Sequence, residues 1–226
     1  MIRKVNRLHA RVAVIVPVVA IMLSGSNAFA EQQDRGAQAD PHAKHRQMAG
    51  HGSAAAGDMM TLEIPIAEMV TQNSEPVDLR SDVVSDRIVV LDFIYTTCTT
   101  VCPVLTAIMS QVNGQLAERI GNDVILVSMT VDPKRDTPAR LKKYSSNFRT
   151  DDGWLWLTGD KLVVDGVLRK LGAYTANFED HPAMVLVGDG RTGQWSRFVG
   201  FPGVDAIVDK VEQLTQARRE GAVSGG

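Results

Sequence analysis

Net charge is the first thing this chain lacks. Its 24 basic and 26 acidic residues leave a formal charge of −2, so no general positive field argues for nucleic acid or an anionic membrane surface as the main partner. Binding has to be sought in a local site. Cysteine is nearly absent as well: two residues in 226, so any thiol chemistry rests on one pair. No apolar run approaches the roughly 20 residues that a membrane span needs. Internal repeats are missing, and so are calcium- and nucleotide-binding motifs. The glycine-rich stretch Gly188-Asp189-Gly190-Arg191-Thr192-Gly193 reads as a hairpin turn.

The opening segment has a character of its own. Arg3, Lys4, Arg7 and Arg11 precede the apolar run Val12 to Leu23, which Pro17 interrupts, and Ala28-Phe29-Ala30 follows. This is the pattern of a secretory signal over residues 1–30, with cleavage expected after Ala30. The alternative is an uncleaved anchor with its basic end in the cytoplasm, which would be the only membrane contact. Either way the cysteines are expected in the periplasm or another extracytoplasmic space, where a lone pair stays oxidised unless a reducing protein acts on it. No cysteine follows the apolar run, so lipid attachment there is not indicated. Residues 31–60 are small and polar without apolar periodicity and read as a flexible tether. It carries His42, His45, Met48, His51, Met59 and Met60, soft and borderline ligands able to collect copper, although chance composition explains them as well.

From Leu62 to about Arg218 the pattern is that of one folded domain, with residues 219–226 expected to be a disordered tail. Ile88 to Tyr95 is a buried strand by length and β-branching. Val104, Leu105, Ile108, Met109, Val112, Leu116 and Ile120 fall on one helical face, which Gly121-Asn122 closes. Val124 to Thr130 reads as a parallel neighbour strand. Thr137 as N-cap, with Pro138 at the first helical position, opens a helix to about Phe148. Trp154 to Leu157 is a short strand, Leu162 to Leu171 a helix, Ala183 to Val187 and Gln194 to Val199 hairpin strands, and Val204 to Ala217 a closing helix. Leu62 to Leu79 adds a small N-terminal hairpin or edge. The order specifies an α/β, thioredoxin-like fold: a central mixed sheet with helices on both faces, an inserted βα unit and a short N-terminal strand extension.

Both cysteines stand in Thr96-Thr97-Cys98-Thr99-Thr100-Val101-Cys102-Pro103, directly after the first buried strand. With Pro103 marking the helix start, the thiols lie at or near its N-terminus. Residues i and i+4 share a helix face at about 6 Å, near enough for a disulfide or for joint ligation of one metal ion. Free backbone N–H groups and the helix dipole favour thiolate there. A structural disulfide is the plain alternative, but closing so short a loop removes little entropy from the unfolded chain.

Tyr95-Thr96-x-Cys98-x-x-x-Cys102-Pro103, then Ser128-x-x-Val131-Asp132-Pro133-x-Arg135-Asp136-Thr137-Pro138, then a single late His181 ahead of a strand, together resemble the Sco/SenC family over roughly residues 61 to 218. Ile94, Thr97 and Pro182 depart from the family pattern without touching Cys98, Cys102 or His181. The resemblance implies a thioredoxin-like fold outside the cytoplasm and a copper chaperone or thiol-disulfide reductase serving the copper-A centre of cytochrome c oxidase. It implies copper, as Cu(I) or Cu(II), held by Cys98, Cys102 and His181. Thiolates select Cu(I), imidazole suits Cu(II) too, and three ligands are one short of a structural zinc site. The implied partners are an apo cuproprotein, such as the oxidase subunit with the copper-A site, and a thiol reductant protein.

Two carboxylates are candidate outer residues. Asp92, six residues before Cys98 in a buried strand, would move protons for the inner thiol or merely bond a neighbour. Asp132 and Asp136 read as organisers of the loop after the second strand, with Asp132 a candidate support for the metal ligands. The competing function is an enzyme in which one cysteine attacks a partner disulfide and the other resolves the mixed species. A peroxidase is a third reading from Thr99-x-x-Cys102, but that pattern wants a proline where Tyr95 stands.

Overall fold

A computed structural model describes residues 57–148, 150 and 153–224. The expected signal at 1–30 and the tether residues His42, His45, Met48 and His51 lie outside the described residues. One eight-stranded sheet organises the rest, in the order β1-β8-β7-β4-β5-β6-β2-β3. Its centre is β4 (Ile88–Ile94) between β5 (Val124–Thr130), parallel to it, and β7 (Met184–Asp189), antiparallel. Every residue of β4 and β5 is buried, as strands covered on both faces must be.

Alternation along β4 divides the molecule into two cores. Ile88, Val90 and Ile94 face α1 (Val101–Gln115), α2 (Pro138–Ser145) and α4 (Val204–Ser224), whose Leu105, Met109, Leu141, Ile207 and Val211 cover them. Val89, Leu91 and Phe93 face α3 (Lys161–Lys170), through Val164, Val167 and Leu168, together with a π-helical turn at Leu79–Val84. Tyr95 packs against both cores. The expected layering is therefore present, and the inserted unit is β6 (Trp154–Thr158) with α3.

The edges differ from the expectation. The hairpin of β2 (Glu68–Thr71) and β3 (Pro76–Asp78) pairs with β6 on one side, while β1 (Asp58–Thr61) pairs with β8 (Gln194–Val199) on the other. Asp58, Met59 and Met60 thus belong to an edge strand, and the tether expected to run to residue 60 ends sooner. The π-helical turn was not anticipated; the Asp78 carboxylate nucleates it by accepting from the Arg80 and Ser81 N–H groups at 3.0 and 2.8 Å.

Three helix ends also moved. α1 stops at Gln115 instead of running to Gly121, because Ile120 leaves the helix to bridge Val124. α2 stops at Ser145 rather than Phe148: the hydroxyls of Ser145 and Ser146 bond back to the Lys142 and Lys143 carbonyls and compete with continued helix. α4 continues to Ser224, so the disordered tail expected from residue 219 is helical over most of its length. Arg218 holds that end to the sheet, donating to both oxygens of buried Asp189 at 2.6 and 2.8 Å.

The turn into β5 depends on a close backbone approach. Gly121 adopts φ +83°, and a Cβ on Gly153 would stand 2.3 Å from the Gly121 nitrogen. Backbone atoms cannot yield that space. Gly153→Val is expected to lower the midpoint of chemical unfolding by an equivalent of about 3 kcal/mol or more; a shift below about 1 kcal/mol in a denaturant titration would contradict this packing.

Candidate metal centre

Cys98 sits in the loop that leaves β4, its N–H bonded to the Tyr95 carbonyl at 3.1 Å. Cys102 lies in the first turn of α1 and donates its backbone N–H to the Cys98 sulfur at 3.3 Å. The thiols are free, and the residues are only 7 % and 5 % exposed. Strand, loop and helix start deliver them as a facing pair, as the i, i+4 spacing predicts.

Their environments are unequal. Burial works against ionisation of Cys98 and is the strongest single influence, yet the donors around it together outweigh burial: the Cys102 N–H and thiol, the Thr100 N–H and the Tyr95 phenol hold the thiol down to about 7. Burial pushes Cys102 the other way, far up, and the negative charges of Cys98 and Asp92 add to it. Near neutrality Cys98 is roughly half thiolate and Cys102 a thiol.

Asp92 lies wholly inside, on the α1 face of the sheet. Ser128 donates to its Oδ1 at 2.5 Å and receives the Trp154 indole N–H at 3.0 Å. Oδ2 has no hydrogen-bond partner among the described residues, and burial raises the carboxyl to about 7. Asp92 thus bonds a neighbour from the buried middle of β4 rather than from a strand edge, and its negative charge helps to push the Cys102 thiol up. Asp132 is turned elsewhere. It pairs with Arg135 at 2.9 Å, and its N–H donates to the Thr130 hydroxyl at 2.9 Å, so it organises the loop after β5.

Asp136 does more than its motif announced. Its carboxylate accepts from the Thr130 hydroxyl at 2.6 Å and from the Thr96 hydroxyl and N–H at 2.5 and 3.1 Å. The dithiol loop is thus tied to the β5–α2 loop through Thr96, two residues before Cys98. Only the register that sets Ile94 beside Thr130 brings these groups together. Tyr95 was likewise missed as a site residue. Its phenol bonds Cys98, and its ring meets Phe178 edge-on at 5.1 Å while the Arg135 guanidinium covers the other aromatic partner, 5.2 Å from the Phe178 centroid.

His181 follows the short 3-10 turn Phe178–Asp180 and leads into β7. Its ring centroid lies 5.4 Å from that of Phe93, a residue of the α3-side core. Nε2 is buried with no partner among the described residues. Burial holds the imidazole down to about 4, hence neutral at pH 7. Among the described residues no three His, Cys, Asp or Glu side chains converge on one point as a metal-holding group. The structure therefore brings the two sulfurs together and leaves His181 on the adjoining loop, joined to them by the Phe178–Tyr95–Cys98 contacts.

A family profile described as SCO1/SenC matches residues 68–216. The chain belongs to the SCO1/SenC family. Among relatives, the SCO1 protein homolog of Bacillus subtilis is 36 % identical over 104 residues, 45 % of this chain and 52 % of that protein. The SCO2-like protein of Rickettsia felis is 30 % identical over 122 residues, 53 % and 57 % of the two chains. This SCO1/SenC chain spans about half the length of the curated relatives it matches. Among solved structures, BsSco, described as having a disulfide switch and as a member of the Sco family of cytochrome c oxidase assembly proteins, superposes with TM-score 0.60 at 26 % identity, covering 70 % of this chain and 95 % of that one. Bradyrhizobium japonicum ScoI with copper bound gives TM-score 0.51 at 27 % identity, covering 68 % and 96 %. The thioredoxin-like mixed sheet is the shared frame. No helix among the described residues is long and apolar enough to cross a membrane.

Proposed function

We propose that this chain is a copper carrier: Cys98, Cys102 and His181 take up one copper ion and pass it, by ligand exchange, to an apo cuproprotein outside the cytoplasm, the copper-A site of cytochrome c oxidase being the intended acceptor. One observation carries the reading. A buried pair of free thiols, one already acidic, is linked through Tyr95 and Phe178 to a loop that holds a neutral imidazole whose Nε2 has no partner among the described residues. A buried nitrogen left unbonded is costly, and a metal ion would satisfy it. The copper-bound ScoI structure and the oxidase-assembly role stated for the Sco family support the same assignment. Export follows from the basic, apolar and Ala-x-Ala order of residues 1–30.

In this scheme Cys98 supplies the first thiolate, Cys102 gives up its proton only as metal arrives, and His181, already neutral, has no proton to lose at neutral pH. An anaerobic titration against a competing chelator tests it. Wild type should bind one tight equivalent, and His181→Ala should weaken binding by about 100-fold or more, since loss of even an outer supporting residue costs 10–100-fold. Unchanged affinity in His181→Ala removes the imidazole from the ligand set.

The unequal thiols favour a second reading, disulfide exchange. The Cys98 thiolate attacks a partner disulfide and expels one partner thiolate; Cys102 then loses its proton, attacks Cys98, and releases the second thiolate as the Cys98–Cys102 disulfide forms. Weak copper binding with fast reduction of a model disulfide would select this activity over the carrier.

A further inference from the structure

We propose that the exposed face of α2 beside the dithiol is the docking surface for the copper acceptor, and that the acceptor meets it with carboxylates. This rests on the carrier reading above and adds the chemistry of the partner. A recess of about 450 Å³ opens next to the dithiol loop, lined by Thr96, Arg140, Lys143, Tyr144 and Asn147. Arg140 and Lys143 stand one turn apart on α2, both exposed, and neither is in an ion pair among the described residues. Among the described residues no acidic side chain lines the recess. The remaining polar groups are already engaged: the Thr96 hydroxyl donates to Asp136, and the Asn147 amide to the Lys143 and Tyr144 carbonyls. Among the described residues that line it, two cations are therefore the only strong unspent recognition groups.

Place separates this face from an ordinary solvated helix. Thr96 is two residues from Cys98, and the Tyr144 hydroxyl reaches Thr106 at 3.4 Å, one turn beyond Cys102 on α1. An acceptor seated here has its own metal ligands beside the sulfurs that must release copper. A recess of similar size, about 420 Å³, lies past Arg135, but there Arg135 is paired with Asp132 and Lys161 with Asp165. Of its cations only exposed Lys134 is left without an ion pair among the described residues, and the carboxylates of Asp132 and Asp165 line the same recess. Because the chain carries a net charge of −2, bulk attraction would not draw an acidic partner, and a local pair of cations acts by orienting it.

The test uses the full copper-loaded chain and, as acceptor, a soluble apo copper-A domain. Arg140→Glu/Lys143→Glu should slow transfer at low ionic strength by about 10-fold or more, with the difference fading near 1 M salt, where screening acts within about 3 Å. Copper affinity of the variant should stay within about twofold, because neither residue is a ligand. Lys170→Glu/Arg219→Glu, a matched reversal at exposed cations elsewhere, should leave the rate unchanged. Equal slowing by both pairs, or none by the first, overturns the docking face. Binding of the copper-free chain to the same domain, followed by calorimetry, separates the two claims. Wild type that binds without delivering copper ends the carrier reading, and the docking face then stands only if the α2 reversal weakens that binding. No binding by wild type ends both.

Discussion

Cys98→Ser should abolish both the tight copper equivalent and disulfide exchange, while Cys102→Ser should lose copper yet keep a reactive thiolate. The asymmetry follows from the surroundings, since the donors that hold Cys98 down to about 7 are aimed at its sulfur and not at Cys102. A serine hydroxyl at position 98 would be neither a nucleophile nor a soft ligand near neutrality. Cys102→Ser keeps the backbone N–H that donates to Cys98, so it should trap mixed disulfides that nothing resolves. Rates of alkylation across pH check the assignment. Modification should begin at Cys98 with a midpoint near 7; a midpoint at the ordinary 9, or first labelling at Cys102, overturns it. Copper uptake at pH 7 should release more than one proton, because Cys102 is still fully protonated there.

Asp92→Asn should stabilise the fold above pH 7 and do little near pH 4. Burial raises this carboxyl from 3.8 to about 7, so between those values the folded state holds a proton that the unfolded chain has released. Stability from this group is fully present below 3.8 and is lost as pH rises through 7. The shift of about three units corresponds to about 4 kcal/mol at 1.36 kcal/mol per unit, an upper bound for the gain at pH 8. His181 has the opposite sign. Its pKa falls from 6.5 to about 4, so its contribution is present above 6.5 and lost as pH drops toward 4. Comparing Asp92→Asn with wild type at each pH cancels the histidine. Denaturant unfolding at pH 4 and pH 8 measures the difference; equal effects at both values would show that folding does not raise the Asp92 carboxyl above its ordinary value. The same variant should ease ionisation of Cys102, since it removes a nearby negative charge.

Local pattern reached most of the frame. Unbroken burial in Ile88–Ile94 and Val124–Thr130 was legible as continuous apolar runs, and the Thr137-Pro138 start of α2 as capping chemistry whose Oγ1 accepts the Arg140 N–H. The ends were less legible. Back-bonding serines shorten α2, a single bridge at Ile120 shortens α1, and Arg218 on Asp189 lengthens α4. The α2 end depends on a hydroxyl's choice between backbone and water, the α1 end on a backbone bridge to Val124 at the start of the next strand, and the α4 end on a partner 29 residues away. Asp136 shows the same limit at the site: its turn-forming role is local, but its hold on Thr96 spans 40 residues.

The sequence by itself determined the strand–loop–helix that carries two thiols four residues apart, and with it the soft-ligand chemistry, because helix spacing and backbone N–H direction are local properties. Only the tertiary structure decided which sulfur is acidic and where the imidazole rests. Those outcomes depend on burial, on the Tyr95 phenol as a donor, on the Asp92 charge and on the packing of Phe178 against Tyr95, which the fold brings together from separate parts of the chain.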